Sequence, residues 1–183
     1  MKKPSATLDL TYIAVAVVII AVCSWVSIPT VVPFTLQTFA VFFVLSFLGG
    51  KRGTVAIVVY LLLGAIGIPV FAGFQGGVGR LVGTTGGYLV GFVFIGLIDW
   101  LAVALFGKKL WVEIVALFIG ILVLYAFGTA WYIILYTRTS GKVSLLTALT
   151  LCVFPFILPD LLKLCLALLL SHKMLLARKK EKK

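Results

Sequence analysis

Residues 71–91 read FAGFQGGVGRLVGTTGGYLVG, a polar, glycine-rich stretch in an otherwise strongly apolar chain. Eight glycines, two threonines and Arg80 fall within it, whereas the segments on either side are rich in leucine, valine and isoleucine. An exposed glycine-rich backbone is disfavoured in lipid, because the hydrocarbon offers no partners for its N–H and C=O groups. Between membrane-compatible segments, such a stretch predicts a binding site.

The composition indicates a membrane protein. Of 183 residues, 63% are hydrophobic and 11% are charged, and the mean hydropathy is +1.25. A soluble domain has about 45–50% apolar and about 25% charged residues. The net charge of +11 does not indicate nucleic-acid binding, since most cations lie in short loops or at the two ends, where topology signals belong. The sequence predicts a single all-α, multi-pass domain over residues 1–183 in the cell membrane.

Six apolar segments predict six transmembrane helices, because a span takes about 20 apolar residues and tolerates about 17–25. The predicted ranges are 10–29, 35–48, 54–71, 86–106, 110–136 and 159–177. Residues 143–153 are too short to cross, so they are expected at the membrane surface or folded back into the protein. Helices tend to restart at prolines, so the sixth helix is predicted to begin at Pro159.

Lysines and arginines alternate between rich and poor connections along the chain. They cluster at both ends, at Lys51-Arg52 and at Lys108-Lys109. The poor connections are 29–34, 71–88 and 137–142. The positive-inside rule therefore predicts that both termini face the cytoplasm. The glycine-rich stretch and the start of the sixth span then lie outside, and the basic C-terminus is expected to meet anionic lipid headgroups.

Asp160 and Lys163 are ionisable residues within the sixth apolar segment. Their i, i+3 spacing places them on one helix face, with Asp160 predicted in the first turn, where the helix dipole favours an anion. Two interpretations stay open: an N-terminal cap with a snorkelling lysine, or a polar pair that faces an internal cavity. The cavity is favoured, because ionisable residues inside spans are costly and usually mark a substrate path.

Arg80 is predicted on the same outer side as this pair, and the three charges suit a small organic acid with N–H donors. Arginine grips a carboxylate with two hydrogen bonds, and an aspartate accepts from ureido or amide N–H groups. Neutral hydrogen-bonding and aromatic residues complete the predicted pocket. The candidate ligand-binding residues are Asp160, Lys163, Tyr88, Arg80, Gln75, Thr85, Gly86 and Gln37.

The glycines of the stretch allow two interpretations. Gly79, Gly83, Gly87 and Gly91 recur every fourth residue, which in a helix makes a groove for close packing. The pairs 76–77 and 86–87 instead indicate turns with exposed backbone N–H groups. A loop up to about Gly83 with close helix packing after it is expected.

Enzyme chemistry is not indicated. The sequence has no phosphate-binding loop, no dinucleotide fingerprint and no metal-ligand spacing, so no catalytic, cofactor or metal residues are predicted. Asp99 and Glu113 are expected at the membrane interface, balanced by Lys108 and Lys109, and the single histidine, His172, is expected near the inner boundary. A six-span chain without an internal repeat is small for a stand-alone carrier, which favours partner subunits.

Three motifs, in the right order, resemble those of one known family. Residues 76–79 and 83–89 (GGVG and GTTGGYL) resemble its pattern GGxG…GPTGGYLxGF. Residues 33–38 (PFTLQT) resemble PxTLQ, and residues 156–163 (FILPDLLK) resemble FxPGDLxK. The chain thus resembles the BioY-type, biotin-binding S components of energy-coupling factor (ECF) transporters.

The resemblance implies a six-helix S component that binds biotin from outside with high affinity. It also implies that a coupling transmembrane subunit and two ATPase subunits drive uptake, with biotin as the transported ligand and no cofactor. Asp160 and Lys163 match ligand-binding positions of the family, and residues 85–88 match a segment that helps form its pocket.

Two alternatives to biotin uptake are an S component or solute carrier for another small vitamin or organic acid, and a membrane assembly protein without a ligand. The chain departs from the family pattern at Thr84, where proline is usual, and at Leu158-Pro159, where Pro-Gly is usual. Its first-span alanines do not form the AxxxA spacing that serves the docking of the coupling subunit.

Overall fold

The computed structural model describes residues 6–180 and is mostly helical over them. Its elements, in chain order, are α1 (Ala6–Trp25), β1 (Ser27–Ile28), β2 (Phe34–Thr35), α2 (Gln37–Leu48), α3 (Gly50–Ala65), α4 (Val78–Leu81), α5 (Gly86–Phe106), α6 (Leu110–Thr139), α7 (Leu145–Cys152) and α8 (Phe154–Lys180). Within this part of the chain, β1 and β2 form a two-stranded antiparallel hairpin. The basic residues at positions 2, 3, 182 and 183, used above to predict orientation, lie outside the described residues.

Four helical segments among the described residues are long and apolar enough to cross a membrane: α1, α5, α6 and the region Leu145–Ala177. The chain is therefore a multi-pass membrane protein. Helix α2 is apolar but has 12 residues, and α3 has 16. At about 1.5 Å per residue they extend about 18 and about 24 Å, less than the hydrocarbon thickness of about 30 Å.

The ends of α1 and α3 and the start of α8 differ from the bounds expected from the sequence. Helix α1 ends at Trp25, because residues 27–28 leave the helix to pair with residues 34–35. Helix α3 ends at Ala65, since Gly67 adopts a φ of 101° that a right-handed helix does not allow. Helix α8 begins at Phe154 and keeps Pro159 in its interior. Asp160 consequently lies in the second turn, so its placement in the first turn was wrong.

Helices α5 and α6 pack closely where glycine meets an aromatic side chain. A Cβ added at Gly87 would come within 2.4 Å of Trp131, and one added at Gly128 would come within 2.4 Å of the Tyr88 ring. Each helix thus presents a glycine to an aromatic residue of the other. The close helix packing expected after Gly83 is confirmed, and it fixes the position of Tyr88.

The segment between α3 and α5 is tied down at several points. Ser24 Oγ and Tyr60 OH both donate to the carbonyl of Val70, at 2.5 and 3.1 Å. Trp25 Nε1 donates to the carbonyl of Pro69 at 2.9 Å, and its ring stacks on Phe74 with the centroids 5.0 Å apart. These contacts hold the glycine-rich segment against α1 and α3.

Asp99 and Glu113, expected as interfacial charges balanced by Lys108 and Lys109, are buried inside the helix bundle. Their exposures are 0% and 2%, so both are enclosed by the helix bundle. The expected pairing with Lys108 is present for Glu113, with Lys108 Nζ 3.8 Å from Glu113 Oε1. The prediction used their closeness in sequence to Lys108 and Lys109, whereas the packing of α5 against its neighbours decides the burial.

Candidate functional site

A cavity opens between the β1–β2 hairpin, the glycine-rich segment and the helices α2, α5, α6 and α8. Its walls combine polar and apolar side chains, as small-molecule sites do. The lining residues are Val32, Pro33, Thr35, Gln37, Thr38, Phe71, Ala72, Arg80, Thr85, Tyr88, Leu89, Phe92, Leu124, Tyr125, Cys152, Phe156, Asp160 and Lys163.

Asp160 is the most heavily hydrogen-bonded side chain of the cavity. Thr38 Oγ1 and Lys163 Nζ each donate to Oδ1 at 2.9 Å, and Tyr125 OH donates to Oδ2 at 2.7 Å. The residue is 2% exposed. Since a buried carboxylate is tolerated only when it is paired and hydrogen-bonded, this network keeps a negative charge at the cavity wall.

Lys163 lies on the same buried face of α8, as the i, i+3 spacing predicts. Its Nζ donates to Thr38 Oγ1 at 3.1 Å and lies 4.4 Å from the centroid of the Phe34 ring. The residue is 7% exposed. The ammonium is thus held by a carboxylate, a hydroxyl and a ring face, which leaves the pair fixed in geometry rather than snorkelling to the surface.

Helix α2 and the preceding hairpin bring neutral polar groups to the cavity. The backbone N–H of Gln37 donates to Thr35 Oγ1 at 3.1 Å, which closes the turn into the helix. Gln37 Nε2 donates to Tyr60 OH at 3.0 Å. The amide is therefore held in one orientation by α3, in the manner of a preorganised site.

Arg80 lines the cavity from the short helix α4 and is partly exposed. Over residues 6–180, no carboxylate forms an ion pair with its guanidinium. An arginine that lines a cavity and forms no ion pair with a described carboxylate is suited to bind an anionic group of a ligand.

Comparison with known proteins decides the family. Residues 1–180 match the model of the BioY family. The chain belongs to the BioY family. It is 39% identical over 157 residues to a biotin transporter BioY from Thermotoga maritima, covering 85% of this chain and 89% of that protein. It is 38% identical over 143 residues to a probable biotin transporter BioY from Pyrococcus horikoshii, covering 78% and 80%.

A solved structure has the same fold. The crystal structure of the S-component for biotin from an ECF-type ABC transporter superposes with a TM-score of 0.80 at 26% sequence identity. The match covers 95% of this chain and 94% of that one. The helical arrangement of this BioY-family chain is therefore that of an S component.

Six of the eight residues proposed from the sequence line the cavity of this BioY-family chain. They are Asp160, Lys163, Tyr88, Arg80, Thr85 and Gln37. The Tyr88 hydroxyl is 2.9 Å from Thr129 Oγ1 on α6, so its ring rather than its hydroxyl is free to meet a ligand.

Gln75 and Gly86 do not line the cavity. Gln75 is exposed, and its backbone pairs with Phe71 in a tight loop. Gly86 is buried at the start of α5, where an added Cβ would come within 1.8 Å of the Leu81 carbonyl. Its role is to let the α4 segment approach α5.

Sequence reasoning missed Tyr125 and Thr38, both of which bond to Asp160. Tyr125 lies near the middle of the long apolar segment 110–136, and a tyrosine hydroxyl at that depth indicates a buried hydrogen-bond partner. Thr38 is the last residue of the PFTLQT motif, but that motif alone assigned it no role.

Proposed function

We propose that this chain is the biotin-binding S component of an ECF-type transporter, a carrier subunit rather than an enzyme. Its membership of the BioY family and the names of its relatives support this proposal. The observation that carries it is the buried Asp160–Lys163 pair, set in the wall of a cavity that Arg80 also lines.

The chemistry of the cavity complements biotin. A ureido ring carries N–H donors and a carbonyl acceptor, which suit Asp160 and Lys163 respectively. The ligand carboxylate suits Arg80. The ring system and the aliphatic chain suit the apolar wall formed by Phe92 and Phe156.

We infer that all six predicted segments cross the membrane, α2 and α3 as short spans. The hairpin, the glycine-rich segment and the start of α8 line one cavity, and they alternate along the chain with the basic pairs Lys51-Arg52 and Lys108-Lys109. This alternation supports a cavity that opens outside the cell membrane, with both termini in the cytoplasm.

A coupling transmembrane subunit and two ATPase subunits are the partners we propose. The solved neighbour is described as part of an ECF-type ABC transporter. The sequence of this chain carries no phosphate-binding loop of its own, so ATP hydrolysis falls to other subunits. Membrane lipid is expected around the exposed apolar faces.

Mass spectrometry of small molecules carried through purification tests the proposal directly. We expect biotin to be released on denaturation, and added biotin to raise the unfolding temperature of ligand-free protein. If another vitamin binds and biotin does not, the chain is an S component for that vitamin. No binding of any vitamin would favour an assembly role without a ligand.

Arg80→Gln is expected to lower biotin affinity about tenfold to a hundredfold, the equivalent of a charged hydrogen bond of about 1.5–3 kcal/mol. Biotin amide has no carboxylate, so its affinity should be nearly the same for the wild type and the variant. Calorimetric titration of both ligands measures this difference. The control is Arg138→Gln, since Arg138 is exposed at the end of α6 and absent from the cavity wall. Equal losses for biotin and its amide would remove Arg80 from the carboxylate subsite.

A further inference from the structure

A second polar cluster lies between α2, α5, α6 and α8, away from the cavity. Asp99 on α5 is 0% exposed, and neither of its carboxylate oxygens has a hydrogen-bond partner among the described residues. The charged groups that act on it are Glu113, on α6, and Lys108, in the turn before α6. Asp99 is therefore a buried carboxyl group without a donor.

The donors of this cluster serve Glu113 instead. Ser46 Oγ donates to Glu113 Oε2 at 3.4 Å, and His172 Nε2 lies 3.3 Å from the same oxygen. Lys108 Nζ is 3.8 Å from Glu113 Oε1 and donates to the carbonyl of Ser46 at 3.2 Å. These groups come from α2, the α5–α6 turn and α8, and none of them is bonded to Asp99.

The cluster is distinct from the ligand cavity. Ser46 follows Thr38 by eight residues on α2, and His172 follows Asp160 by twelve on α8. At about 1.5 Å per residue these separations are about 12 and about 18 Å along the helices. None of Asp99, Glu113 and His172 lines the cavity.

The arrangement leaves Asp99 unsatisfied as an anion. A carboxylate enclosed in a helix bundle needs hydrogen bonds or a paired cation, whereas Glu113 opposes a negative charge on Asp99 more strongly than Lys108 favours it. A bound proton removes the charge without requiring any space. A metal ion needs several ligands, and over residues 6–180 no group of three His, Cys, Asp or Glu side chains is suited to hold one.

We propose that Asp99 is a proton-binding site. The bound proton neutralises Asp99 and thereby removes its electrostatic repulsion by the Glu113 carboxylate. Release of the proton leaves a second buried negative charge that Glu113 repels, between α5 and α6. Proton occupancy and the packing of these helices are therefore linked. This assignment is independent of the ligand that the cavity binds.

Infrared spectroscopy of the purified protein at neutral pH tests the site. We expect a carbonyl stretch typical of a protonated carboxylic acid, which shifts when aspartate is labelled with carbon-13 at the side-chain carboxyl. This measurement uses only the wild-type protein, so it does not require any variant to fold. A spectrum with no label-sensitive signal of this kind overturns the proposal.

Variants then assign the signal. Asp99→Asn should lose it, whereas Asp9→Asn should keep it, because Asp9 pairs with Arg52 at 2.7 Å in a partly exposed position. A signal that persists in Asp99→Asn contradicts the assignment.

Thermal unfolding at the same pH gives an independent readout. Asn is a neutral isostere of a protonated Asp, so the unfolding temperature of Asp99→Asn should match that of the wild type. A large decrease would show that Asp99 is needed as an anion and would overturn the proposal. The ligand affinity of Asp99→Asn is expected to equal that of the wild type, because Asp99 does not line the cavity. A result against the proton site therefore leaves the proposed ligand function untouched, and a result against ligand binding leaves the proton site untouched.

Discussion

Asp160→Asn is expected to weaken biotin binding by about 2–5 kcal/mol, a loss of roughly 30-fold or more, because it removes the negative charge of a buried, hydrogen-bonded charge pair. The amide keeps the shape of the side chain but replaces an acceptor with a donor, which repels a ureido N–H. It also leaves the ammonium of Lys163 without its carboxylate. Calorimetric titration in detergent measures the loss.

The double variant Asp160→Asn with Lys163→Met separates binding from folding. Each single change leaves an uncompensated buried group at a cost of about 3–5 kcal/mol, whereas replacing both charges by neutral groups is often neutral. The double variant should therefore unfold at a higher temperature than either single variant and still fail to bind. Wild-type affinity in a folded Asp160→Asn protein would show that the ligand site lies elsewhere.

Gly128→Ala is expected to lower both the unfolding temperature and the ligand affinity. An alanine Cβ would stand 2.4 Å from ring atoms of Tyr88, so the ring that lines the cavity has to move. Overpacking of this kind typically costs about 1–3 kcal/mol. Thermal unfolding and titration of the same sample record the two effects together.

Gly79→Ala provides the matched control for this change. Nothing lies within 4 Å of a Cβ added at Gly79. Alanine favours helix over glycine by about 1 kcal/mol, so intrinsic propensity alone would make both substitutions stabilising. If the Gly128→Ala protein is as stable as the Gly79→Ala protein, then α5 and α6 can move apart without a free-energy cost. In that case their contact does not fix the position of Tyr88.

The sequence was sufficient to predict that the glycine-rich stretch and the Asp160–Lys163 segment contribute to one site. The positive-inside rule placed Arg80, Tyr88 and Thr85 on the side of Asp160 and Lys163, and all five line one cavity in the structure. The i, i+3 spacing was sufficient for the Asp160–Lys163 contact, because helix geometry alone determines it.

Other features depend on tertiary packing that no local pattern encodes. Pro155 and Pro159 are equally good helix starts by local rules, and the chain starts α8 just before the first. An interior proline is tolerated in membrane helices, since neighbouring groups can satisfy the freed carbonyl. The burial of Asp99 likewise follows from how α5 is enclosed, which its sequence neighbours do not encode.

The three hydrogen bonds to Asp160 have a consequence for ligand geometry. A carboxylate offers about four lone-pair positions. Two on Oδ1 are taken by Thr38 and Lys163, and one on Oδ2 by Tyr125. One lone pair remains, so in the binding mode proposed above Asp160 can accept from only one of the two ureido nitrogens of biotin. The two nitrogens of this nearly symmetric ring are then bound unequally. We expect methylation of one nitrogen to lower the affinity far less than methylation of the other.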